Sequence, residues 1–451
     1  METLKLSEIA NACGGTFNGE CEINGVCIDT RKITKGCLFI CIKGERFDGH
    51  SFAEEALEKG AAAVMIHKAV EGLNGNYVMV ENTSKALLDL GGYYRSKFNL
   101  HLVGLTGSVG KTTTKEFTYL VVSSKYKSIK TQGNLNNEIG LPQMLFQIDG
   151  STQAAVIEMG MNHFGEIHRL STAAKPTIAL ISNVGTSHIE NLGSREGILK
   201  AKLEILDGIE KGSTVILNGD NDMLSTVNNN DYNIVFFGID NGDFKAREIT
   251  QQNGSTSFII DFYGKSQAVT IPTIGIHNVY NALSAFAVGY FLDIEPEACA
   301  DALSHYQPEG MRQKVVDFNG ITIIEDCYNA SLDSMKASIN TLADTNCKRK
   351  IAVFSDMLEL GGFSKEAHSK VGEYAAKQGI DYLFTVGEQA KYIHNSAVEN
   401  GIKNAVHFDN KDALSDKLSK FLEKGDAVVF KASRGMALEE VIHKVYDRWG
   451  K

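Results

Sequence analysis

Residues 101–114 bring together an apolar run, a glycine turn, one lysine and a row of threonines, in that order. The apolar run predicts a buried strand, and Lys111 and Thr112 open a predicted helix directly after the turn. Such a turn presents backbone N–H groups and the positive end of a helix to phosphates. Lys111 would contact the β- and γ-phosphates, and the Thr112 hydroxyl would be a ligand of Mg²⁺. The loop predicted to bind ATP comprises Thr106, Gly107, Ser108, Val109, Gly110, Lys111, Thr112 and Thr113.

This loop departs from the full phosphate-loop pattern at one position. The full pattern has a glycine where this chain has Leu105. The alternative interpretation is an ordinary strand, turn and helix that carry a surface lysine. Because Gly-Lys-Thr directly after an apolar strand is a specific signal, we expect a shorter form of the loop that binds a nucleoside triphosphate.

Polar residues follow two further apolar runs. Glu158 ends the run 154–158, and the run 177–181 is followed by Asn183 and His188. Ligands bind at the carboxyl ends of the strands in a parallel sheet, so these side chains are expected beside the phosphate loop. A buried carboxylate is costly unless it is paired or metal-bound, which favours Glu158 as a Mg²⁺ ligand. The alternatives are a glutamate that caps a helix and a histidine with a structural role.

Lys202 lies on an apolar stripe of a predicted helix, in line with Ile198 and Ile205. Lys200 is expected to face the other way. Burial would make the Lys202 amine partly neutral. In the ordinary case its stem packs in the core and its ammonium reaches water. The sharper hypothesis is that the neutral amine reacts with CO₂ to give a carbamate, an anion that can bind a second Mg²⁺.

Two pairs of polar residues lie at predicted domain edges. Asn278 and Asn281 open a helix, where their amides would either contact the edge of an adenine or cap the helix. Arg312 and Asp326 lie near the start of the last third of the chain. Across a cleft, these two side chains could contact a phosphate and a ribose hydroxyl.

Near the N-terminus, basic residues follow the ends of two predicted strands. Arg31, Lys43 and Arg46 form this group. Arginine offers a planar fork of donors, so the group could bind a diphosphate. The alternative is a pair of polar loops that only turn the chain.

The order of predicted elements indicates an α/β protein with three domains. Residues 1–98 form a small α/β domain, and residues 99–309 alternate strands and helices around a largely parallel sheet like that of a phosphate-loop NTPase. An antiparallel extension is expected around residues 257–271. Residues 310–451 form a doubly wound, Rossmann-like domain that lacks the G-x-G-x-x-G fingerprint.

Composition restricts the class of protein. The 43% apolar and 22% charged residues are ordinary for a globular protein, and a net charge of −10 disfavours nucleic acid as a partner. No run approaches the about 18 apolar residues that a membrane span needs, and the first residues do not show a signal-peptide pattern. The eight cysteines lack a C-x-x-C pair, so we expect small buried side chains. A cytoplasmic, monomeric protein without membrane insertion is expected.

Several strings occur together in one known family. They are Asp29-Thr-Arg31, the stretches 43–50, 106–112 and 131–142, Glu158-Met-Gly160, Gly165-Glu-Ile167, His188, Lys202, His277-Asn-Val-Tyr-Asn281 and Asp326-Cys-Tyr-Asn329. With these strings the chain resembles, essentially from end to end, the Mur ligases, ATP-dependent enzymes of cell-wall precursor synthesis. The Gly-Asn-x-Asn-Asn-x-Ile-Gly-x-Pro and Tyr-Asn-Ala strings resemble those of the member that adds a dipeptide.

The resemblance implies a role for each matching residue. Lys111, Glu158, His188 and Lys202 match the catalytic residues. Thr112 and Glu158 match ligands of one Mg²⁺, and Glu158, His188 and a carbamylated Lys202 match ligands of the second. ATP would also contact Asn278, Asn281, Arg312 and Asp326. The UDP-linked substrate would contact Asp29, Thr30, Arg31, Lys43, Arg46, Asn134 and Asn137. The dipeptide would contact Tyr328, Asn329 and Arg434.

Two stretches depart from the family pattern. The family often has Asp-Ser-Tyr-Asn-Ala-Asn-Pro where this chain has Asp326-Cys-Tyr-Asn-Ala-Ser-Leu332, and the missing proline bears on the shape of the dipeptide pocket. Lys431-Ala-Ser-Arg434-Gly only approximates the family's Lys-Gly-Ser-Arg segment.

The resemblance implies a ligase that joins D-alanyl-D-alanine to UDP-N-acetylmuramoyl-tripeptide through an acyl phosphate, with ATP and two Mg²⁺ ions as cofactors. Residues 1–98 would bind the UDP-linked substrate and residues 99–309 would bind ATP. Residues 310–451 would bind the dipeptide and close over ATP. One alternative is a ligase that adds a single amino acid, either a sibling or a folylpolyglutamate-type enzyme. The other is a non-catalytic protein regulated by nucleotide.

Overall fold

The structure is a computed structural model that describes residues 1–45, 47–252, 254–308 and 310–449. It contains three larger sheets, and helices pack against each of them. The predicted α/β fold class is confirmed. We refer below to the N-terminal, central and C-terminal units, named after the sheet that each contains. The predicted boundaries at residues 98 and 309 stay predictions.

The N-terminal unit contains a two-stranded sheet, β1-β3, and a five-stranded sheet in the order β2-β7-β6-β5-β4. Only the pairing of β2 with β7 is antiparallel in the larger sheet. The strands are β1 (Leu4–Lys5), β2 (Thr16–Asn18), β3 (Glu22–Ile23), β4 (Gly25–Cys27), β5 (Cys37–Ile40), β6 (Ala63–Ile66) and β7 (Tyr77–Met79). The helices are α1 (Leu6–Ala12), α2 (Ala53–Glu58) and α3 (Thr83–Ser96).

The central unit contains a nine-stranded sheet in the order β16-β15-β14-β13-β12-β11-β8-β10-β9. Pairing is parallel from β9 to β14 and antiparallel through β15 and β16. Its strands are β8 (His101–Thr106), β9 (Ser128–Lys130), β10 (Ala154–Glu158), β11 (Ile178–Ile181), β12 (Thr214–Asn218), β13 (Asn233–Gly238), β14 (Phe244–Gln252), β15 (Ser255–Phe262) and β16 (Lys265–Ile271). Its helices are α4 (Lys111–Ser123), α5 (Gly140–Leu145), α6 (Glu166–Ala174), α7 (Ile189–Leu192), α8 (Arg195–Leu203), α9 (Ile276–Phe291) and α10 (Pro296–Ser304).

The C-terminal unit contains a six-stranded sheet in the order β17-β18-β22-β19-β20-β21, parallel except for the hairpin β17-β18. Its strands are β17 (Lys314–Phe318), β18 (Ile321–Asp326), β19 (Arg349–Phe354), β20 (Tyr382–Val386), β21 (Ala405–Phe408) and β22 (Asp426–Lys431). Its helices are α11 (Leu332–Asp344), α12 (Ser364–Lys377), α13 (Ala390–Glu399), α14 (Lys411–Phe421) and α15 (Glu439–Trp449).

Apolar runs form the middle strands of the sheets. In β8 and β10 every residue except His101 is buried, because helices cover both faces of a parallel sheet. Of the strands in the three larger sheets, β2, β6, β7, β9, β14 and β17 were not predicted. β14 alternates exposed and buried residues rather than forming an apolar run, and β17 is half exposed at the sheet edge.

Helix α3 joins the N-terminal unit to the central one. Arg95 is buried, and its guanidinium donates to the carbonyls of Phe98, Ala174 and Lys175. The Tyr94 hydroxyl donates to the carbonyl of Ile148 at 2.6 Å. One continuous apolar core spans the two units. No helix in the described part of the chain combines the length and the apolar content needed to cross a bilayer.

Candidate active site

The phosphate loop is the turn between β8 and α4. Gly110 has a φ of 77°, a left-handed conformation that glycine adopts without strain, and α4 begins at Lys111. At Gly107 a Cβ atom would lie 2.0 Å from Ser182 Oγ, so a side chain does not fit there. The two glycines therefore allow the loop to turn tightly over the carboxyl end of β11.

The strand before the loop explains the departure at Leu105. Leu105 is a fully buried member of β8 that pairs with Glu158 of β10 and Leu180 of β11. β8 extends to Thr106, which is buried behind the loop. The loop is thus shorter than the full pattern because the sheet continues through the place of the missing glycine.

Asn183 holds the phosphate loop in place. Its side-chain oxygen accepts from the backbone N–H groups of Ser108 and Val109, at 3.0 and 2.9 Å. Its amide group donates to the Val109 carbonyl at 2.8 Å. Its position just after β11 pointed to the site, but these bonds to the loop could not be read from the sequence.

Glu158 ends β10 beside the loop and is 2% exposed. The Thr112 hydroxyl donates to one carboxylate oxygen at 3.1 Å, and the Asn136 amide donates to the other at 2.7 Å. Within the described residues no lysine or arginine forms an ion pair with Glu158. A buried carboxylate whose hydrogen-bond donors are all neutral has no basic partner in the protein, which suits a ligand of a metal ion.

Lys111 is half-buried at the start of α4, and its ammonium donates to the Gly107 carbonyl at 2.9 Å. Burial lowers the pKa of this ammonium, and the neighbouring Glu158 carboxylate opposes that effect. Lys111 therefore lies beside both the phosphate loop and the acidic residue of the site.

His188 and Lys202 lie close enough to Lys111 for its charge to act on both. Burial lowers the pKa of His188 to about 4, and the positive charge of Lys111 acts in the same direction. His188 Nδ1 is 3.2 Å from a Glu359 carboxylate oxygen of the C-terminal unit. Its φ of 62° is unusual for a residue with a side chain.

Lys202 is 2% exposed on α8. Burial lowers the pKa of its ammonium well below the usual value, and the charge of Lys111 lowers it further. Among the described residues none forms a hydrogen bond or ion pair with its Nζ. The predicted helical stripe is only partly right, because α8 ends at Leu203 and Ile205 belongs to a following 3-10 turn. Lys200 is exposed, as predicted.

The C-terminal unit forms the opposite wall of the site. Asp326, at the end of β18, accepts from the Ser338 hydroxyl at 2.5 Å and from the Lys431 ammonium at 2.7 Å. The Arg312 guanidinium lies 3.6 Å from the centre of the Tyr328 ring. Lys431, which ends β22 and is 2% exposed, is a site residue that sequence reasoning missed.

The two helix-opening asparagines are bonded to each other and to the helix that follows the loop. Asn281 donates to Asn278 Oδ1 at 3.2 Å and accepts from the Thr114 hydroxyl at 3.0 Å. Asn278 also donates to the Ile274 carbonyl at 2.8 Å. They therefore position α9 against α4 and also line the site.

These residues surround one cleft of about 540 Å³ between the central and C-terminal units. The predicted site residues that line it are Ser108, Val109, Gly110, Lys111, Thr112, Thr113, Asn134, Asn137, Glu158, His188, Asn278, Asn281, Arg312, Asp326, Tyr328 and Asn329. Thr106, Gly107 and Lys202 lie behind this lining. Asp29, Thr30, Arg31, Lys43 and Arg434 are also not part of it.

The predicted N-terminal group is separate from the cleft. Arg31 donates to both carboxylate oxygens of Asp29, and these bonds lower the pKa of Asp29 to about 2. Thr30 belongs to the short 3-10 turn that Asp29 caps, and Lys43 is exposed. Arg46 lies outside the described residues.

The structure shows what replaces the family pattern in the two stretches that depart from it. Ser331 caps α11 in a reciprocal pair with Ser334, and Leu332, where the family has proline, is the buried first residue of that helix. Proline is also tolerated at the first position of a helix, so the change preserves the turn. Arg434 pairs with Glu439 at 2.7 Å and is exposed, so its predicted contact with the dipeptide stays a prediction.

In the described part of the chain, no three His, Cys, Asp or Glu side chains come together as a metal site. Glu158 lines the cleft in contact with the Thr112 hydroxyl, His188 lines the same cleft, and the buried Lys202 amine lies behind the lining. A metal at this place would therefore need the Thr112 hydroxyl or a modified Lys202 as a ligand.

Comparison with known proteins finds relatives of one family along nearly the whole chain. Three family models match: Mur ligase family, catalytic domain (residues 22–90), Mur ligase middle domain (residues 105–289), and Mur ligase, glutamate ligase domain (residues 311–434). The UDP-N-acetylmuramoyl-tripeptide--D-alanyl-D-alanine ligase of Bacillus subtilis is 40% identical over 430 residues, which cover 94% of this chain and 93% of the relative. The Escherichia coli protein of the same name is 33% identical and covers 99% of each chain.

Solved structures agree. A crystal structure of MurF from Acinetobacter baumannii has a TM-score of 0.93 and 30% identity, with 100% of both chains covered. A MurF ligase from Thermotoga maritima in complex with ADP has a TM-score of 0.87 and 29% identity, with 94% of this chain and 97% of that chain covered. The phosphate loop, the buried carboxylate and the matching family models lead to one conclusion: this chain belongs to the Mur ligase family.

Proposed function

We propose that this protein is an ATP-dependent ligase that joins D-alanyl-D-alanine to UDP-N-acetylmuramoyl-tripeptide and so forms the pentapeptide precursor of peptidoglycan. The observation that carries the proposal is one cleft in which the phosphate loop faces the C-terminal unit. Relatives that are named for this reaction match the chain over nearly its full length.

ATP binds with its phosphates on the loop. The N–H groups at the start of α4 and the Lys111 ammonium face the phosphates, while Asn183 keeps the loop in shape. Asn278 lines the cleft on the adenine side, and Asp326 faces it from the C-terminal unit. A ligand held by both units brings them together and excludes water from the reacting groups.

The side chains fit divalent cations. Thr112 and Glu158 would hold one Mg²⁺, and Glu158, His188 and a carbamylated Lys202 would hold the second. Mg²⁺ held by these residues would supply positive charge to the phosphoryl group that is transferred. Lys202 suits this role because burial lowers the pKa of its amine, and a lowered pKa favours the neutral form that reacts with CO₂. Its nitrogen attacks the carbon of CO₂ and loses one proton, which leaves an anionic carbamate.

A carboxylate at neutral pH is a poor electrophile, so amide formation needs activation. The terminal carboxylate of the tripeptide attacks the γ-phosphorus of ATP, ADP leaves, and an acyl phosphate forms. The amine of D-alanyl-D-alanine then attacks the acyl carbon, and inorganic phosphate leaves. Lys111 lies where negative charge accumulates, which lowers the barrier by electrostatic stabilisation.

Substrate binding extends over all three units. The N-terminal unit, with Asp29, Thr30 and Arg31, binds the UDP end, and Asn134 and Asn137 line the path of the peptide. Asn329 and Tyr328 face the cleft from the C-terminal unit and contact the dipeptide. The central and C-terminal units hold ATP between them.

The test is release of ADP by the purified protein, measured with UDP-N-acetylmuramoyl-tripeptide and one amine acceptor at a time. We expect release only with both the nucleotide-linked peptide and D-alanyl-D-alanine, with formation of the pentapeptide product. Release with a single amino acid instead would indicate a sibling ligase or a folylpolyglutamate-type enzyme. No release with any acceptor, despite ATP binding, would indicate a nucleotide-regulated binding protein.

A further inference from the structure

Residues 185–188, which we name the His188 loop, lie between the phosphate loop and the C-terminal unit. On the phosphate-loop side, the Gly185 N–H donates to Ser108 Oγ at 2.9 Å. The Ser187 hydroxyl donates to the Ser108 carbonyl at 3.2 Å. One face of the His188 loop is thus fixed to the ATP site by a single residue, Ser108.

The other face contacts Asp333, in the first turn of α11. Asp333 Oδ2 accepts from the Thr186 N–H at 3.0 Å and from the Thr186 hydroxyl at 3.3 Å. The approach is close, because a Cβ atom on Gly185 would lie 2.2 Å from Asp333 Oδ2. The C-terminal unit therefore contacts the backbone of the loop directly, and only glycine at position 185 leaves room for it.

His188 depends on these neighbours for its conformation. Its φ of 62° is a left-handed value that costs about 1–3 kcal/mol in a residue with a side chain and persists only where surrounding contacts enforce it. Glu359 of the C-terminal unit is 3.2 Å from His188 Nδ1. Within the described residues, Nδ1 has no hydrogen-bond partner despite this proximity, so the ring orientation depends on the backbone contacts of the loop.

We propose that Asp333 is a positioning residue that places His188 for metal binding when the C-terminal unit docks on the His188 loop. Asp333 acts through Thr186, two residues before the histidine, and does not itself touch the metal. Docking of one unit thereby completes the ligand set of another. This inference rests on the proposed metal site and adds the residue that couples the site to the third unit.

The test is titration of the full-length protein with Mn²⁺ alone, followed by the loss of the free Mn²⁺ signal in electron paramagnetic resonance. We expect Asp333→Ala to bind Mn²⁺ about 10-fold more weakly, in the range known for partners of metal ligands. The matched control is Asp344→Ala, which removes the same charge from an exposed position in the last turn of α11. Asp344→Ala should bind Mn²⁺ like the unaltered protein.

Two further variants separate positioning from other roles. Asp333→Asn keeps an oxygen that can accept from the Thr186 N–H, so it should retain most of the Mn²⁺ affinity. Gly185→Ala removes no hydrogen-bonding group but blocks the approach of Asp333, so it should weaken Mn²⁺ binding about as much as Asp333→Ala. In the double variant the losses should not add, because both act on the same contact. Circular dichroism checks that each variant is folded.

Kinetics give a second readout. Asp333→Ala should lower kcat and leave the KM for UDP-N-acetylmuramoyl-tripeptide within about twofold, because the interaction serves the chemical step. Equal Mn²⁺ affinity in Asp333→Ala and Asp344→Ala would overturn the inference, as would an unaffected Gly185→Ala or an Asp333→Asn as weak as Asp333→Ala. If the unaltered protein binds no Mn²⁺, the proposed metal site fails together with it.

Discussion

At the scale of single residues, the site consists of titratable groups with little access to water. Glu158 is held by neutral donors, Lys202 is buried on α8, and His188 is half-buried with a left-handed φ. Each is costly in a folded protein unless a ligand uses it. Glu158 and His188 line the cleft beside Lys111, and Lys202 lies behind that lining, so all three are close to the proposed position of phosphate and divalent ions.

We expect Lys202→Ala to reduce kcat by at least the roughly 100-fold that changes around a metal site can reach. The physical reason is loss of the anionic ligand that its carbamate would supply. Added acetate or formate should restore part of the activity by occupying the space of the carbamate. ADP release measures both effects.

Lys200→Ala is the control for this variant, because Lys200 is exposed two positions earlier on α8. Its kcat should equal that of the unaltered protein. A Lys202→Ala enzyme that turns over at the normal rate would contradict the carbamate proposal.

The low pKa of His188 predicts a pH dependence of stability in metal-free buffer. The folded protein protonates His188 near pH 4, whereas the unfolded chain does so near its ordinary value of about 6.5. Between these values the unfolded chain binds more protons, so the free energy of unfolding falls as the pH is lowered from 6.5 to 4. At pH 5 the loss from this residue is about 2 kcal/mol.

His188→Gln should remove this contribution, so its free energy of unfolding should fall less between pH 7 and pH 5. Chemical denaturation at the two pH values measures the difference. The histidine resonances in NMR give an independent check, since one with a midpoint near pH 4 should be missing from the variant. An identical pH dependence in both proteins would show that His188 titrates normally.

At the scale of elements, the site depends on the carboxyl ends of neighbouring parallel strands. β8 leads into the phosphate loop, β10 ends at Glu158, and β11 is followed by Asn183. Parallel pairing brings these ends to one edge of the sheet. The strand order places β8 between β10 and β11, so the loop has the acid on one side and the asparagine on the other.

We expect Asn183→Ala to weaken ADP binding about 10-fold, because Val109 loses the side-chain partners of both its N–H and its carbonyl, and the loop loses its shape. Isothermal titration calorimetry measures the affinity. Asn230→Ala, at an exposed position of the central unit, is the control and should bind ADP normally. Equal affinity in the two variants would mean that the loop keeps its shape without Asn183.

At the scale of the whole molecule, the two junctions between units differ. Helix α3 packs the N-terminal unit onto the central one through a continuous apolar core and the buried Arg95. The C-terminal unit contacts the central one through polar groups around the cleft, among them Asp333 with Thr186 and Gln313 with His277. The first junction suits a fixed arrangement, and the second suits a contact that forms around substrates.

We expect Arg95→Ala to lower the free energy of unfolding by about 3 kcal/mol, because the carbonyls that accept from Arg95 lose a charged donor and the buried side chain leaves a cavity. Lys85→Ala, in the same helix but exposed in an ion pair with Asp89, should cost less than about 0.5 kcal/mol. Chemical denaturation compares the two. A small effect of Arg95→Ala would mean that α3 is held by its apolar contacts alone.

The sequence alone determined the α/β class, most strands of the three sheets and the loop that follows β8. These features follow from local patterns: apolar runs, a glycine turn and a Gly-Lys-Thr sequence that leave few other structures. β2, β6, β7 and β9 were not predicted, and β14 and β17 were missed because they lack an apolar run. The residues at the ends of β10 and β18, Glu158 and Asp326, were found because strand ends in a parallel sheet share one edge.

Only the tertiary structure decided which distant side chains meet. Asn136 meets Glu158 within the central unit, and Lys431 meets Asp326 within the C-terminal unit. Asp333 reaches the His188 loop only because these two units pack against each other. Such contacts join residues far apart in the chain, and no periodicity or spacing encodes them. The reason is physical: hydrophobic patterning selects each element locally, whereas polar contacts across a cleft depend on the relative placement of complete sheets.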